Sequence, residues 1–269
     1  MNTSRATACD VGLVKHLYSP LISGKIQGID MFAETQDFHA AQYRFSPAQP
    51  EQRAMLKGPR SLDEYLSRGT IRGIEAKEHL FAEGDSKTSI YRVLSGALCL
   101  YQVLPDGRRM VIDFAYAGDV IGLESGTFAT CNAQATVPTR VTCVPSAVLE
   151  RAADNDPRIA MQLFKTMART IDAMRDHLVS VGQRSATERL VNFLLTLSRR
   201  RPGGCGCGDT IELPMTRTDI ADFLGLTIET VSRTLSKLKA LKHIEIDQGT
   251  TIRLLDMVAL EAMAQGASC

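Results

Sequence analysis

The 269 residues are enough for two modest domains and a tail, and a hydrophobic content of 44% supports a packed core. A formal net charge of +1, from 31 Lys and Arg against 30 Asp and Glu, neither demands nor excludes nucleic acid, because a balanced total can hide a local basic face. Seven mostly scattered cysteines exclude a secreted disulfide framework. The absence of any apolar run near ~20 residues and of a signal-like start points to a cytoplasmic chain with no membrane partner.

Residues 1–60 show no sustained period of 2 or 3.6 and carry eight of the glycines and prolines, so an irregular extension is expected, docked in part through Met31, Phe32, Phe38, Tyr43 and Phe45. From residue 61 to 153 the expectation is a small antiparallel β-roll. Ile90–Val103 and Arg109–Phe114 are β-rich runs separated by the turn Pro105-Asp106-Gly107, and Val137–Val144 is a further strand. Asp154 and Asp156-Pro157 open a long helix over residues 154–184, where Pro157 sits near the first turn. On it Phe164, Met167, Ile171, Met174, Leu178 and Val181 follow the 3,4 spacing of a heptad seam. The period alone admits a helix lying on its own domain's core; the character of the C-terminal segment favours a parallel homodimer seam.

A last domain is expected over residues 185–269. Its first helix, Ser185–Arg199, turns Leu190, Phe193, Leu194 and Leu197 inward and stops at a loop, Arg201–Gly208, that contains Cys205 and Cys207. Thr216-Arg217-Thr218-Asp219 is a capping pattern ahead of a short helix whose buried face is Ile220, Ala221 and Leu224. Gly225 permits a sharp turn, Leu226 plugs the core beneath it, and Thr227 caps a second helix, Ile228–Ala240. Ile228, Val231, Leu235 and Leu238 share its inner face, and Glu229, Ser232, Arg233, Ser236 and Lys237 share the other. Arg233 can grip a guanine edge, Glu229 can accept from a cytosine amino group, and Ser232 can touch a thymine or a phosphate. Thr218, Ser236, Lys237 and Lys239 suit phosphate positioning, and Thr230 completes the DNA-binding set. A solvated helix face would also be polar; the capped first helix, the glycine turn and the wing that follows favour DNA. That wing is His243–Asp247 and Thr251–Leu255, joined around Gln248-Gly249-Thr250.

The stretch LPMTRTDIADFLGLTIETVSRTLSKL, Leu213–Leu238, resembles the CRP/FNR superfamily of bacterial transcription regulators, in particular its FNR/FixK-like branch. The resemblance covers roughly Leu80–Met257. It implies an α+β fold with an N-terminal cyclic-nucleotide-binding-like β-roll, a long dimerisation helix and a C-terminal winged helix-turn-helix. It further implies a homodimer on a TTGA-type inverted repeat, read by Glu229-x-x-Ser232-Arg233. As an activator the dimer would recruit RNA polymerase in response to oxygen, redox or nitrogen-oxide conditions. Two departures bear on cofactors. Gly122-Leu123-Glu124-Ser125 leads on without the Arg-Ser or Arg-Thr of a nucleotide phosphate cassette, and Arg140 is followed by Val141, so a cyclic phosphate would lack its charge partner. Only Cys9 falls in the first 98 residues, whereas an iron–sulfur cluster needs four thiolates. No cofactor is expected.

Cys205 and Cys207, beside Arg199–Arg201, form a close pair whose thiols nearby positive charge can activate, which keeps open a redox-switched or ligand-sensing regulator. Two thiols fall short of a four-coordinate zinc site, and His177 and His243 read as packing or surface residues. Neither a phosphate loop nor a nucleophile elbow is present, so no catalytic residue and no enzyme activity are expected.

Overall fold

The computed structural model describes residue 59 and residues 61–200, 210–247 and 250–266. The expected N-terminal extension therefore lies outside the described residues except for Pro59. So do Cys205 and Cys207 and the first two residues of the wing turn.

Helix α1, Leu62–Ser67, begins where the Ser61 hydroxyl accepts from the Glu64 N–H at 3.2 Å. Eight strands follow: β1 (Thr70–Ile74), β2 (His79–Phe81), β3 (Ser89–Ser95), β4 (Ala97–Val103), β5 (Arg109–Tyr116), β6 (Val120–Ile121), β7 (Asn132–Ala135) and β8 (Thr139–Pro145). They form two antiparallel sheets, ordered β1-β8-β3-β6 and β2-β7-β4-β5. Ile74, Val93, Ile121 and Val141 of the first meet Leu80, Leu98, Leu100, Ala115, Ala133 and Ala135 of the second, closing a roll around one core.

The run Ile90–Val103, expected as one, is two strands in different sheets. Gly96 breaks it with φ +84, and a side chain there would run into Thr139 and lie 2.6 Å from the Pro138 carbonyl oxygen. Only glycine allows the chain to change sheets so close to β8. The roll also ends differently from expectation. Helix α2, Ser146–Asn155, follows β8 directly, so Asp154 lies in its last turn and does not open the long helix. That helix, α3, spans Pro157–Gln183; its N-cap Asp156 accepts from the Arg158 N–H at 2.9 Å.

Helix α4, Ala186–Arg199, starts with a capping box between Ser185 and Glu188 and buries Leu190, Val191, Phe193, Leu194, Leu195 and Leu197. Around it stand β9 (Thr210–Glu212), α5 (Arg217–Leu224), α6 (Ile228–Ala240), β10 (Ile244–Asp247), β11 (Thr251–Leu254) and α7 (Met257–Ala264). The three strands pair in the order β10-β11-β9. The hydrophobic core of this region does not stop at its own elements. Cys99, Val111 and Phe114 of the roll belong to the same buried cluster as Phe193, Leu224, Val231 and Leu235.

Candidate nucleic-acid interface

Two helices and a tight turn build the site. Thr216 and Asp219 cap α5 reciprocally. The Thr216 hydroxyl accepts from the Asp219 N–H at 3.1 Å, and the Asp219 carboxylate accepts from the Thr216 N–H at 2.9 Å. Gly225 then adopts the left-handed conformation (φ +63) that a C-terminal turn of this sharpness requires. Leu226 returns its N–H to the Ala221 carbonyl at 2.9 Å and packs against the core. Thr227 caps α6 by accepting from the Thr230 N–H at 3.2 Å.

Val231, Thr234, Leu235 and Leu238 are the buried face of α6. Ile228 is not among them. It is 41% exposed, because it occupies the first turn, beyond the elements that cover the rest of that face. Glu229, Arg233, Ser236 and Lys237 are exposed on the opposite side, and Ser232 is half-buried between them. Thr218 is exposed in the first turn of α5, and Thr230 is half-buried with its hydroxyl 3.1 Å from that of Thr227. The side chain of Ser236 donates to the Ser232 carbonyl at 2.9 Å, which leaves its oxygen free to accept. The Glu229 carboxyl is held below its usual range by its own backbone N–H and the Thr227 hydroxyl, and further by the Arg233 charge. It is therefore an acceptor-only anion on the same exposed face as the Arg233 cation, four residues on. That pair suits base edges carrying an amino donor on one side and acceptors on the other.

The wing is a real hairpin, with Ile244 opposite Leu254 and Asp247 opposite Thr251, extended by β9. The third strand carries little apolar alternation in three residues, which is why it was not foreseen.

Three further residues place this unit, and sequence reasoning missed all of them. Arg189 of α4 donates to the Leu224 carbonyl at 3.0 Å, at the end of α5. Arg109 of β5 pairs with Asp219, and Phe223 packs against aromatic rings of other elements. Each link joins residues far apart in the chain, so no local spacing announces it.

On α3, Phe164, Met167, Ile171, Met174 and Leu178 are exposed, Phe164 at 66% and Leu178 at 73%. Val181, the last of the expected seam, is half-buried, with its methyl 3.6 Å from where a side chain on Gly225 would begin. It therefore packs toward the turn between α5 and α6. Among the described residues no group of three or more His, Cys, Asp or Glu could hold a metal ion, and no helix is long and apolar enough to cross a membrane.

Comparison with known proteins matches both halves of this architecture. A family model described as a Crp-like helix-turn-helix domain fits residues 188–263, and one described as a cyclic nucleotide-binding domain fits residues 71–156. The chain is 41% identical over 187 residues to the nitrogen fixation regulation protein FixK of Bradyrhizobium diazoefficiens, covering 70% of this chain and 78% of that one. It is 37% identical over 188 residues to the transcriptional activatory protein AadR of Rhodopseudomonas palustris, with the same coverage of 70% and 78%. Among solved structures, FixK2 from Bradyrhizobium japonicum superimposes with a TM-score of 0.68 at 36% identity, over 72% of this chain and 96% of that one.

The chain belongs to the CRP/FNR superfamily, in its FixK-like branch.

The regulator is a DNA-binding transcription factor of the helix-turn-helix class and not an enzyme. The α+β fold of roll, helices and winged helix-turn-helix is the one the motif resemblance implied. Its roll, although it matches a nucleotide-binding family, does not fit a cyclic nucleotide. The cavity bordered by Phe81, Lys87, Tyr91 and Cys131 measures about 20 Å³, room for a single water. It is lined by the carboxylates of Asp85 and Glu124 and by no arginine, so a phosphate would meet two like charges and one lysine. Arg140 is exposed on β8.

Proposed function

We propose that this regulator is a cytoplasmic homodimeric transcription activator that reads a TTGA-type inverted repeat through α6. In this reading residues 1–60 are an extension, 61–155 a sensor-like roll closed by α2, Pro157–Gln183 the dimerisation helix and 185–269 the DNA-binding domain. Two copies associate along Phe164, Met167, Ile171, Met174, Leu178 and Val181, and present two α6 helices to successive major grooves about 34 Å apart. Arg233 and Glu229 read base edges, Ser232 touches a base or a phosphate, and Thr218, Thr230, Ser236 and Lys237 position the backbone. The bound dimer recruits RNA polymerase under oxygen, redox or nitrogen-oxide control.

The observation that carries this reading is the division of α6: one face is sealed in the core, and the Glu229-x-x-Ser232-Arg233 face is left at the surface. Relatives named as a transcriptional activatory protein and a nitrogen fixation regulation protein support the role and its setting. The test is a binding titration at fixed salt, comparing a TTGA-type inverted repeat with a scrambled duplex, with and without reductant. Selective binding to the repeat is expected. Arg233→Ala should cost about 1–3 kcal/mol and relax the preference at one base of each half-site. Lys237→Ala should weaken all sequences alike. Equal losses for both variants on both duplexes would remove the assigned reading roles.

A further inference from the structure

Helix α5 carries no exposed apolar stripe of its own, yet it is held from three directions by elements outside the helix-turn-helix. At its N-terminal end the Arg109 guanidinium, from β5, pairs with Asp219 and lies 3.9 Å from the Asp222 carboxylate. The guanidinium is itself seated: it donates to the Cys99 sulfur at 3.2 Å and lies 4.2 Å over the Tyr101 ring. At the penultimate residue of the helix the His177 ring, from α3, stacks on Phe223 with centroids 4.0 Å apart and planes 12° from parallel. The other sides of Phe223 meet Phe114 of the roll edge-on at 5.3 Å and Phe193 of α4 at 5.7 Å. At the C-terminal end Arg189 binds the last carbonyl. None of these contacts involves Glu229, Ser232, Arg233, Ser236 or Lys237.

From this geometry we infer that Arg109 and His177 are positioning residues for DNA reading, which act through α5 to fix where the two recognition helices of a dimer stand. The turn at Gly225 joins α5 to α6 with three residues between them, so the pose of α5 dictates that of α6. The roll and α3 each hold α5 directly, through an ion pair and a ring stack. The reading face stays uncovered, so the clamp orients the helix and does not mask it.

This inference rests on the proposed dimeric reading of an inverted repeat, and spacing separates the two. One added base pair moves the half-sites about 3.4 Å apart and turns one against the other by about 35°. A pre-set dimer must lose affinity for such a site, whereas a dimer with free DNA-binding domains adapts. The experiment measures full-length wild type, Arg109→Met, His177→Ala and His177→Phe on inverted repeats with the best spacer and with one base pair more or fewer, and on a single half-site. Wild type should prefer its best spacer by about tenfold or more, roughly the scale of 1.4 kcal/mol. Arg109→Met and His177→Ala should bring the three spacers to within about threefold, with half-site affinity and a single cooperative thermal transition retained, and the His177→Phe ring should restore discrimination. Spacer preference unchanged in Arg109→Met and His177→Ala would overturn the positioning role. So would a uniform loss on every duplex, half-site included, because a merely structural defect lowers all affinities together. If Arg109→Met fails to fold, the two His177 variants decide alone. A wild type with no preference for any repeat would instead overturn the proposed function.

Discussion

Asp219 serves two structures at once. Its carboxylate closes the cap on α5 and carries the charge that Arg109 grips from the roll. Burial alone would raise its pKa, but the Arg109 ion pair and the Thr216 hydrogen bonds hold it below the ordinary 3.8. In the window beneath 3.8 the unfolded chain binds more protons than the folded one, so stability from this group is full above that pH and is lost as pH falls through the folded value. Asp219→Asn keeps an acceptor for the cap and removes only the charge. It should cost about 1–3 kcal/mol at pH 7 by urea unfolding, and the gap from wild type should close as the pH is lowered below the carboxylate range. A gap that stays constant to pH 3 would mean the ion pair contributes nothing. The cap was legible in Thr216-x-x-Asp219 because its two residues are three apart. Arg109 was not, since it lies 110 residues away and stands locally between a turn and a strand.

At the scale of elements, period decided what could be read. The heptad on α3 was visible because a 27-residue helix repeats its stripe many times over. The strands of the roll were harder. β1 shows a single buried residue in five and β6 is two residues long, so neither has an alternation to detect. Gly96 stands inside the run Ile90–Val103, and its effect, sending β3 and β4 to different sheets, depends on Thr139 packing against it. Ile228 shows the converse: its period is right, and its place at the end of α6 leaves it uncovered. On the proposed dimer, Leu178→Asp should shift the chain to monomer in sedimentation velocity. Two copies each lose about 1.5–3 kcal/mol of apolar burial, more than a hundredfold in dissociation constant when combined. Leu178→Asp sedimenting as a dimer at micromolar concentration would place the interface elsewhere.

For the whole molecule, the feature that matters is the core that runs from the roll into the DNA-binding region. Phe114 is 2% exposed and touches Phe193 and Phe223 across that junction, at ring separations of 6.3 and 5.3 Å. Arg200 adds a second bond across the junction, 2.6 Å from Asp119, with its guanidinium 5.2 Å from the Tyr116 ring. Residues from β4 to α7 are therefore expected to melt as one unit. Calorimetry should show a single transition for both regions. Phe114→Ala should lower it by an amount equivalent to about 3–5 kcal/mol without splitting it. Two resolved transitions in the wild type would show that the junction is too weak to couple them. Order along the chain gave the sequence reading its succession of roll, long helix and winged helix. The junction has no such signature, because it is made of single aromatic residues contributed by elements far apart in the chain.

That shared core also bears on how such regulators can be recombined. A chimera that grafts the winged helix of another regulator onto this roll at the end of α3 would cut between Phe114 and its partners. It would expose an aromatic face on one side and leave Arg109 facing a foreign helix on the other. Exchange of DNA specificity in this lineage is therefore easier by rewriting the exposed letters of α6 than by trading modules, because those letters lie outside the joint.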